Sequence, residues 1–345
     1  MVRQATGTEI ISGMKKGSVW GTAVALGSGN GIYLLSESIE GAPEVLFDES
    51  LGNAFTKCAD LGNITVEGDL EAMLKYEGLL LPFALCLGTA GLPALITNGY
   101  KHVLKCADNI DGLFATYASD KSLKVHEIPS LKISSFSIEA EAGDYIKVTF
   151  SIVGNIIKDD SVINTTVTMA TVTYLMKCGN IVFNNGKILL KDFDGSAPTD
   201  PIDRVQLNSF SLEFNRNIEG DYVASGSREI LEPQQTGQPE INLTLGFPRY
   251  TDSRFIQDLF SKQYHELIAT WEGDLIGVGP DKYTFGIELP KLVIIDCPVP
   301  IDDLGKMPFE VNYKALQADT PPTGFADNGP LNLVFINSIA TDPLA

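Results

Sequence analysis

The sequence predicts a mainly β protein made of two tandemly duplicated β-sandwich or barrel units, each with one flanking α-helix. Three observations carry this. Long stretches rich in Val, Ile, Thr, Phe and Tyr alternate apolar and polar residues, the period of a half-buried strand. Only two segments have helical periodicity. Several short motifs recur in one order along the chain, as an internal repeat requires.

The strand-like segments are Val19–Leu26, Ile32–Leu35, Ser134–Ala140, Tyr145–Val153, Ser161–Thr173, Ile181–Leu190, Val205–Phe214, Glu240–Phe247 and Lys291–Ile295. Gly27-Ser28-Gly29-Asn30-Gly31 separates the first pair, and Asn184-Asn185-Gly186 reads as a hairpin turn because Asn and Gly tolerate positive φ. One helix is expected from about Asp69 through Leu70, Met73, Leu74 and Glu77. The other starts at Thr251 or Asp252 and places Phe255, Ile256, Leu259 and Phe260 on one face.

The repeat rests on matched stretches. Glu127-Ile128-Pro129-Ser130-Leu131 returns as Glu288-Leu289-Pro290-Lys291-Leu292, and Val148 and Phe150 return as Val311 and Tyr313. An acidic turn with glycine (Gly143, Gly305) lies between them in each half. Upstream, Tyr100–Leu104 matches Tyr264–Ile268, Ile39-Glu40-Gly41 matches Ile218-Glu219-Gly220, and Ile64–Val66 matches Ile241–Leu243. The expected organisation is an N-terminal arm over 1–16, a first unit over 17–160, a linker or added strand over 161–180, a second unit over 181–337 and a tail over 338–345. The loops Glu37–Asn63 and Arg216–Pro239 stand out by length at equivalent places, and loops this long in compact domains are usually functional or disordered.

Composition narrows the function. A hydrophobic fraction of 44% with 20% charged residues is that of a globular chain. With 44 acidic against 25 basic residues the net charge is −19, which opposes a surface that grips nucleic-acid phosphates. It does not oppose a protein that surrounds DNA without holding it. Five dispersed cysteines (Cys58, Cys86, Cys106, Cys178, Cys297) without a C-x-x-C pair read as reduced, mostly buried thiols. The N-terminus lacks the apolar core of a signal peptide. Leu79–Ile96 carries no charge over 18 residues. Its two prolines and two glycines, and flanks without basic clusters, read as a buried helix, a loop and a second buried segment rather than a membrane span.

A search for chemistry yields no catalytic, cofactor or metal residue to assign. His102, His126 and His265 have no nucleophile elbow beside them, and the first and last are expected on strand surfaces. Asp192, Asp194 and Asp200 near Gly195 resemble half of a calcium loop, without a glutamate at its twelfth position. The glycines at 27–31 lack a phosphate-loop lysine. Trp271-Glu272-Gly273-Asp274 is the best candidate for a carbohydrate site, although a tryptophan at a strand end is usually core or interface.

The stretch Asn208-Ser209-Phe210-Ser211-Leu212-Glu213-Phe214-Asn215-Arg216-Asn217-Ile218-Glu219-Gly220, followed by a long loop, an alternating strand and a helix, resembles the tail tube (major tail) proteins of long-tailed bacteriophages. Ser122–Ile138, with its Glu-Ile-Pro-Ser-Leu-Lys-Ile core, is similar to the corresponding stretch of double-domain members. The resemblance implies a structural virion protein, made in the host cytoplasm, whose rings stack into the tail tube. A duplicated chain implies three copies per ring. It implies self-association, with tape measure, tail terminator and distal tail proteins as partners, DNA passing through the lumen unbound, no membrane, no cofactor and no catalytic residues. The long loops match the family's inter-ring stacking loop, so Glu49, Phe55, Lys57, Arg216, Arg228, Glu229, Leu231 and Gln235 are expected at ring contacts. Two other readings compete: an acidic, ring-shaped DNA sliding clamp, which needs more positive charge on its helices than Lys75, Arg254 and Lys262 supply, and a β-sandwich carbohydrate-binding or hydrolase module.

Overall fold

The computed structural model describes residues 7, 10–50, 55–175, 179–299, 307 and 309–345. Half of the expected arm, Cys178 and the acidic turn around Asp302, Asp303 and Gly305 lie outside them. The first half contains β1 (Ile11–Lys16), β2 (Ser36–Glu37), β3 (Glu40–Phe47), β4 (Ala59–Met73), α1 (Leu80–Leu87), β5 (Gly88–Thr89), β6 (Ala94–Leu95), β7 (Tyr100–Cys106), β8 (Ala115–Asp120), β9 (Val125–Glu141) and β10 (Lys147–Gly154). After α2 (Thr166–Met169) come β11 (Gly186–Asp192), β12 (Ser209–Asn215), β13 (Ile218–Glu219), β14 (Gln234–Gln235), β15 (Glu240–Phe247), α3 (Arg254–Ser261), β16 (Tyr264–Leu275), β17 (Lys282–Asp296), β18 (Phe309–Ala315) and β19 (Asn332–Asn337). The fold is mainly β, as the alternation predicts.

Two runs of strands share one pairing order. In the first half β2 and β3 flank β4, which pairs with β10, then β9, β8 and β1. In the second, β12 flanks β15, which pairs with β18, then β17, β16 and β11. The two Glu-x-Pro-x-Leu motifs explain themselves in this frame. Both sit where a strand bulges: Pro129 and Ser130 fall in the register shift opposite Thr116, Pro290 and Lys291 in that opposite Glu266. Proline has no N–H to donate, so a bulge is one of the few interior places a sheet accepts it. Tyr264–Ile268, however, occupies the place of β8 and not of β7, so its match with Tyr100–Leu104 does not survive the pairing.

A single antiparallel layer then runs β4–β10–β9–β12–β15–β18 across both halves. On one face, register aligns Ala72, Val148, Ile138, Leu212, Leu243 and Tyr313, all buried. This face packs on α1 and on the second layer formed by β11, β16, β17, β19 and β7. Phe83 of α1 meets Phe136, Phe150 and Phe335 with ring centroids 5.1, 4.9 and 5.8 Å away, and Trp271 of β16 meets Phe210 at 6.0 Å. The resulting apolar cluster is continuous from Met14 to Phe335, so the halves share one core.

Several local expectations are corrected. The segment from Asp69 is the inner end of β4, not a helix: Val66, Leu70, Ala72 and Leu74 are buried at even spacing, and the helical spacing of Leu70, Met73 and Leu74 is incidental. The first helix lies later, at α1, where apolar residues all round match burial on all sides. The second helix stands where expected, with Phe255 buried and Phe260 85% exposed. Leu92 and Leu95, expected in a second buried segment, are exposed. No helix of the described residues is long and apolar enough to cross a membrane.

Ile11–Lys16 is not part of a loose arm but pairs with β8. Val19–Leu26 forms no strand, and Asn184-Asn185-Gly186 closes a 3-10 turn instead of a hairpin. Ser161–Thr173 contains α2, whose Thr165 Oγ1 accepts the Thr168 N–H at 3.3 Å, a helix cap that β-branched composition conceals. The C-terminal tail folds back, its Leu344 carbonyl accepting from Lys16 Nζ.

Candidate functional site

The two long loops come together. Glu37–Asn63 is a hairpin of β3 and β4 rather than an irregular loop. β10 covers β4 only from Val66 to Met73, so Ala59–Thr65 of β4 and Ala42–Phe47 of β3 stand clear of the layer as a two-stranded projection. Seven residues at about 3.3 Å each make an overhang of about 20 Å before the tip. It exposes Val45, Leu46, Phe47, Phe55 and Leu61, with Phe55 83% accessible. Between Glu40 and Glu67 it carries the carboxylates of Glu40, Glu44, Asp48, Glu49, Asp60 and Glu67 against the single base Lys57. Ser50, through its hydroxyl and its N–H, holds the Asp48 carboxyl below its usual range.

The second loop, 216–239, braces the base of this projection. Ile64 N–H donates to the Arg228 carbonyl at 2.9 Å, and the Tyr222 hydroxyl donates to the Ile64 carbonyl at 3.0 Å. The loop also crosses the first half. Lys132, with a fully buried side chain, pairs with Glu232 at 2.7 Å and donates to the Pro233 carbonyl at 2.8 Å. Asn155 Nδ2 donates to Glu229 at 2.8 Å, and Trp20 Nε1 donates to the carbonyl of the buried Ile230 at 3.2 Å.

These contacts sort the expected ring-contact residues. Glu49, Phe55 and Lys57 are exposed on the projection, and Arg228 and Leu231 are exposed on the bracing loop. Glu229 is held by Asn155 and Gln235 is half-buried in the β13–β14 pairing. Arg216 is corrected outright: its side chain is buried, donating to the Ala107 carbonyl, and burial pulls its guanidinium pKa down. An arginine next to a long loop gives no sequence signal for that.

The layer's other face is the second feature. Register sets Glu71, Thr149, Ser137, Glu213, Asn242 and Lys314 in one row. Beside it run Lys147, Glu139, Ser211, Thr244 and Asn312, and then Asp69, Ser151, Ser135, Asn215 and Glu240. All are exposed or half-exposed. The five carboxylates among them exceed the two lysines, and the rest are small hydroxyls and amides. No sequence signal joined these rows, because the β9–β12 pairing that does so links distant segments.

The residues considered for chemistry disperse. Asp194 turns to Lys191 at 2.9 Å, which with Ser196 holds its carboxyl well below the usual range, and Asp200 pairs with Arg204 at 2.6 Å. Asp192 instead joins Asp258 and His265 in one cluster, with Arg254 contacting both carboxylates. An arginine already supplies the positive charge there. His102 and His265 are buried rather than on strand surfaces; His102 Nε2 lies 2.9 Å from the Ile339 carbonyl and His265 Nε2 lies 3.2 Å from Asp258. Trp271 is core, its Nε1 donating to the Phe183 carbonyl at 3.1 Å. Among the described residues no helix offers a basic face: α1 is uncharged and buried, α2 carries no charge, and Arg254 of α3 is ion-paired.

The model of one sequence family, described as phage tail tube protein, matches residues 8–272. No curated protein matches the chain.

Proposed function

The chain belongs to the phage tail tube protein family, a structural component of the virion, and from that premise we propose that three copies close a pseudo-hexameric ring and that stacked rings form an acidic conduit for DNA. One observation supports this most: a single layer spans both halves, apolar on one face and acidic on the other. Closed into a ring with the acidic face inward, such a layer repels phosphates where a lysine-rich lining would hold them through released counterions. The equal pairing order of the two halves supports a tandem duplication, hence six quasi-equivalent units from three chains.

Stacking falls to the β3–β4 projection. Barrel strands run at about 35–45° to the axis, so an overhang along the strand direction leaves the rim of its own ring. Phe55, Glu49 and Lys57 then meet the next ring, while Arg228 and Leu231 border the contact from the bracing loop. Tape measure, tail terminator and distal tail proteins are the further partners of this reading, assembly starting in the host cytoplasm. Negative-stain microscopy of the purified full chain tests it. Long tubes with threefold rings are expected; monomers under every condition, or sixfold rings of whole chains, contradict it.

A further inference from the structure

Inside the chain, the two halves are joined by one strand pairing. β12 lies against β9 from Ser135 to Glu141, on the side where β8 ends at Leu131. Phe210, Leu212 and Phe214 of β12 are buried here, with Phe214 stacked on Phe136 of β9. The equivalent of β12 in the first half has no such cover. Leu70 pairs with Phe150 and with Glu37 as Leu243 pairs with Tyr313 and with Leu212, which puts Glu37 at the place of Leu212. Leu35 then stands for Phe210 and Ile39 for Phe214, yet Leu35 is 48% exposed where Phe210 is 1% exposed. Among the described residues, β2 and β3 pair only with β4.

The equivalent of the β9 end is vacant as well. Phe136 pairs with Phe150 as Ile294 pairs with Tyr313, and Ser137 pairs with Thr149 as Asp296 pairs with Asn312. β16 ends its pairing at Val293, so on that side Ile294–Asp296 has no strand among the described residues. Ile295 is 53% exposed there. The chain thus carries both halves of a joint that it has already made once internally. Unpaired edges of this kind are templates for strand addition.

Resting on the ring reading above, we infer that residues 35–39 of one copy add as a strand to the end of β17 of a second copy, in the register of β12 on β9. Ile39 then faces Ile294, and Ser38 faces Asp296 because Glu213 faces Ser137. The occupant is another copy of this chain, and the joint is lateral, within a ring, distinct from the stacking contact of the β3–β4 projection. A second copy fits where an unrelated strand does not, since the edge presents Leu35 and Ile39 at the very places that Phe210 and Phe214 fill in the internal joint.

Facing residues in an antiparallel pair have Cα atoms about 4.5–5.5 Å apart, within the reach of a disulfide. Ser38 and Asp296 are both exposed on the single chain, so Ser38→Cys with Asp296→Cys, in a Cys58→Ser background to remove the native thiol that is exposed among the described residues, gives a direct test. Oxidised assemblies of the double variant should run as covalent dimers and trimers on non-reducing gels, and neither single variant should. Tubes that form without this cross-link overturn the joint and leave the tube reading intact. Leu35→Arg in the wild-type chain gives a second reading: lost assembly with an unchanged melting temperature is expected, and normal assembly overturns the joint. A wild-type chain that never assembles defeats the tube reading and the joint together.

Discussion

Phe214 of β12 stacks on Phe136 of β9 with centroids 5.2 Å apart and ring planes 13° from parallel. The contact lies where the strand pairing crosses from one half of the chain to the other. Phe136 also lies 5.1 Å from Phe83 of α1, so the aromatic group ties helix, first half and second half together. Phe214→Ala should cost about 3–5 kcal/mol, the range for a buried phenylalanine whose cavity cannot collapse. Denaturant unfolding of the full chain measures this. A loss under about 1 kcal/mol, or a two-step transition in the wild type, contradicts a shared core.

The bracing loop gives a second test. A loop of little core value should be removable, and on length alone a deletion of Arg228–Gln238 is expected to leave a folded protein. The structure reverses that expectation, because Ile230 is buried and Glu232 neutralises the fully buried Lys132. Glu232→Ala leaves that ammonium, among the described residues, with the Pro233 carbonyl, and breaking a buried pair from one side costs about 3–5 kcal/mol. Part of Glu232 is solvated, which places the expected loss at the low end, about 3 kcal/mol. Replacing both partners, Lys132→Met with Glu232→Leu, should recover most of the stability. Urea midpoints for the two variants beside the wild type separate a buried charge from lost packing.

What the sequence reveals and conceals follows from range. The strands β9, β10, β12 and β15 are legible because their alternation is local and one face of each is buried. The Glu-x-Pro-x-Leu motifs are legible as a repeat, although only the register shows that each proline occupies a bulge. The inner end of β4 misleads because Leu70, Met73 and Leu74 fit a helical stripe as well as half of an alternation. Arg216 misleads because the burial of its guanidinium depends on segments distant in the sequence, where the Ala107 carbonyl accepts from it and Cys86 and Cys106 lie nearby. The acidic face is illegible for the same reason: Glu71, Glu139 and Glu213 become neighbours only through the pairings of β4 with β10 and of β9 with β12, which join segments far apart in the sequence.

Glu266 supplies a pH test. It faces the bulge at Pro290, where the first half has Thr116, whose hydroxyl donates to the Pro129 carbonyl at 2.8 Å. Among the described residues neither Glu266 carboxylate oxygen has a partner, and burial pushes its pKa up to about 7. A carboxyl whose pKa is raised on folding binds more protons folded than unfolded between about pH 4.5 and 7. Its contribution is therefore fully present below the unfolded pKa and is lost as pH rises through the folded one. At 1.36 kcal/mol per unit this is at most about 3 kcal/mol. Glu266→Gln should raise the melting temperature at pH 8 and leave it nearly unchanged at pH 4. Equal shifts at both pH values contradict the assignment.

The acidic face makes the last prediction, which concerns assembled tubes. If Glu71, Glu139 and Glu213 line a bore, reversing them to lysine converts a repelling wall into a binding one without touching the core, since all three project from the polar side. The change per chain is from −3 to +3, and the identical ring positions repeat it along the tube. Each phosphate neutralised releases counterions, so affinity for duplex DNA should fall with salt at a slope of about −0.9 per contact. Tubes of the triple variant should therefore retain short DNA at 50 mM salt and release it at high salt, whereas wild-type tubes retain none at either. Accessibility discriminates the bore from the outer wall: with tube ends capped by a bulky antibody fragment, DNA added afterwards should be excluded. Retention that ignores the caps would place these carboxylates on the outside, and retention by wild-type tubes would remove the repelling wall altogether.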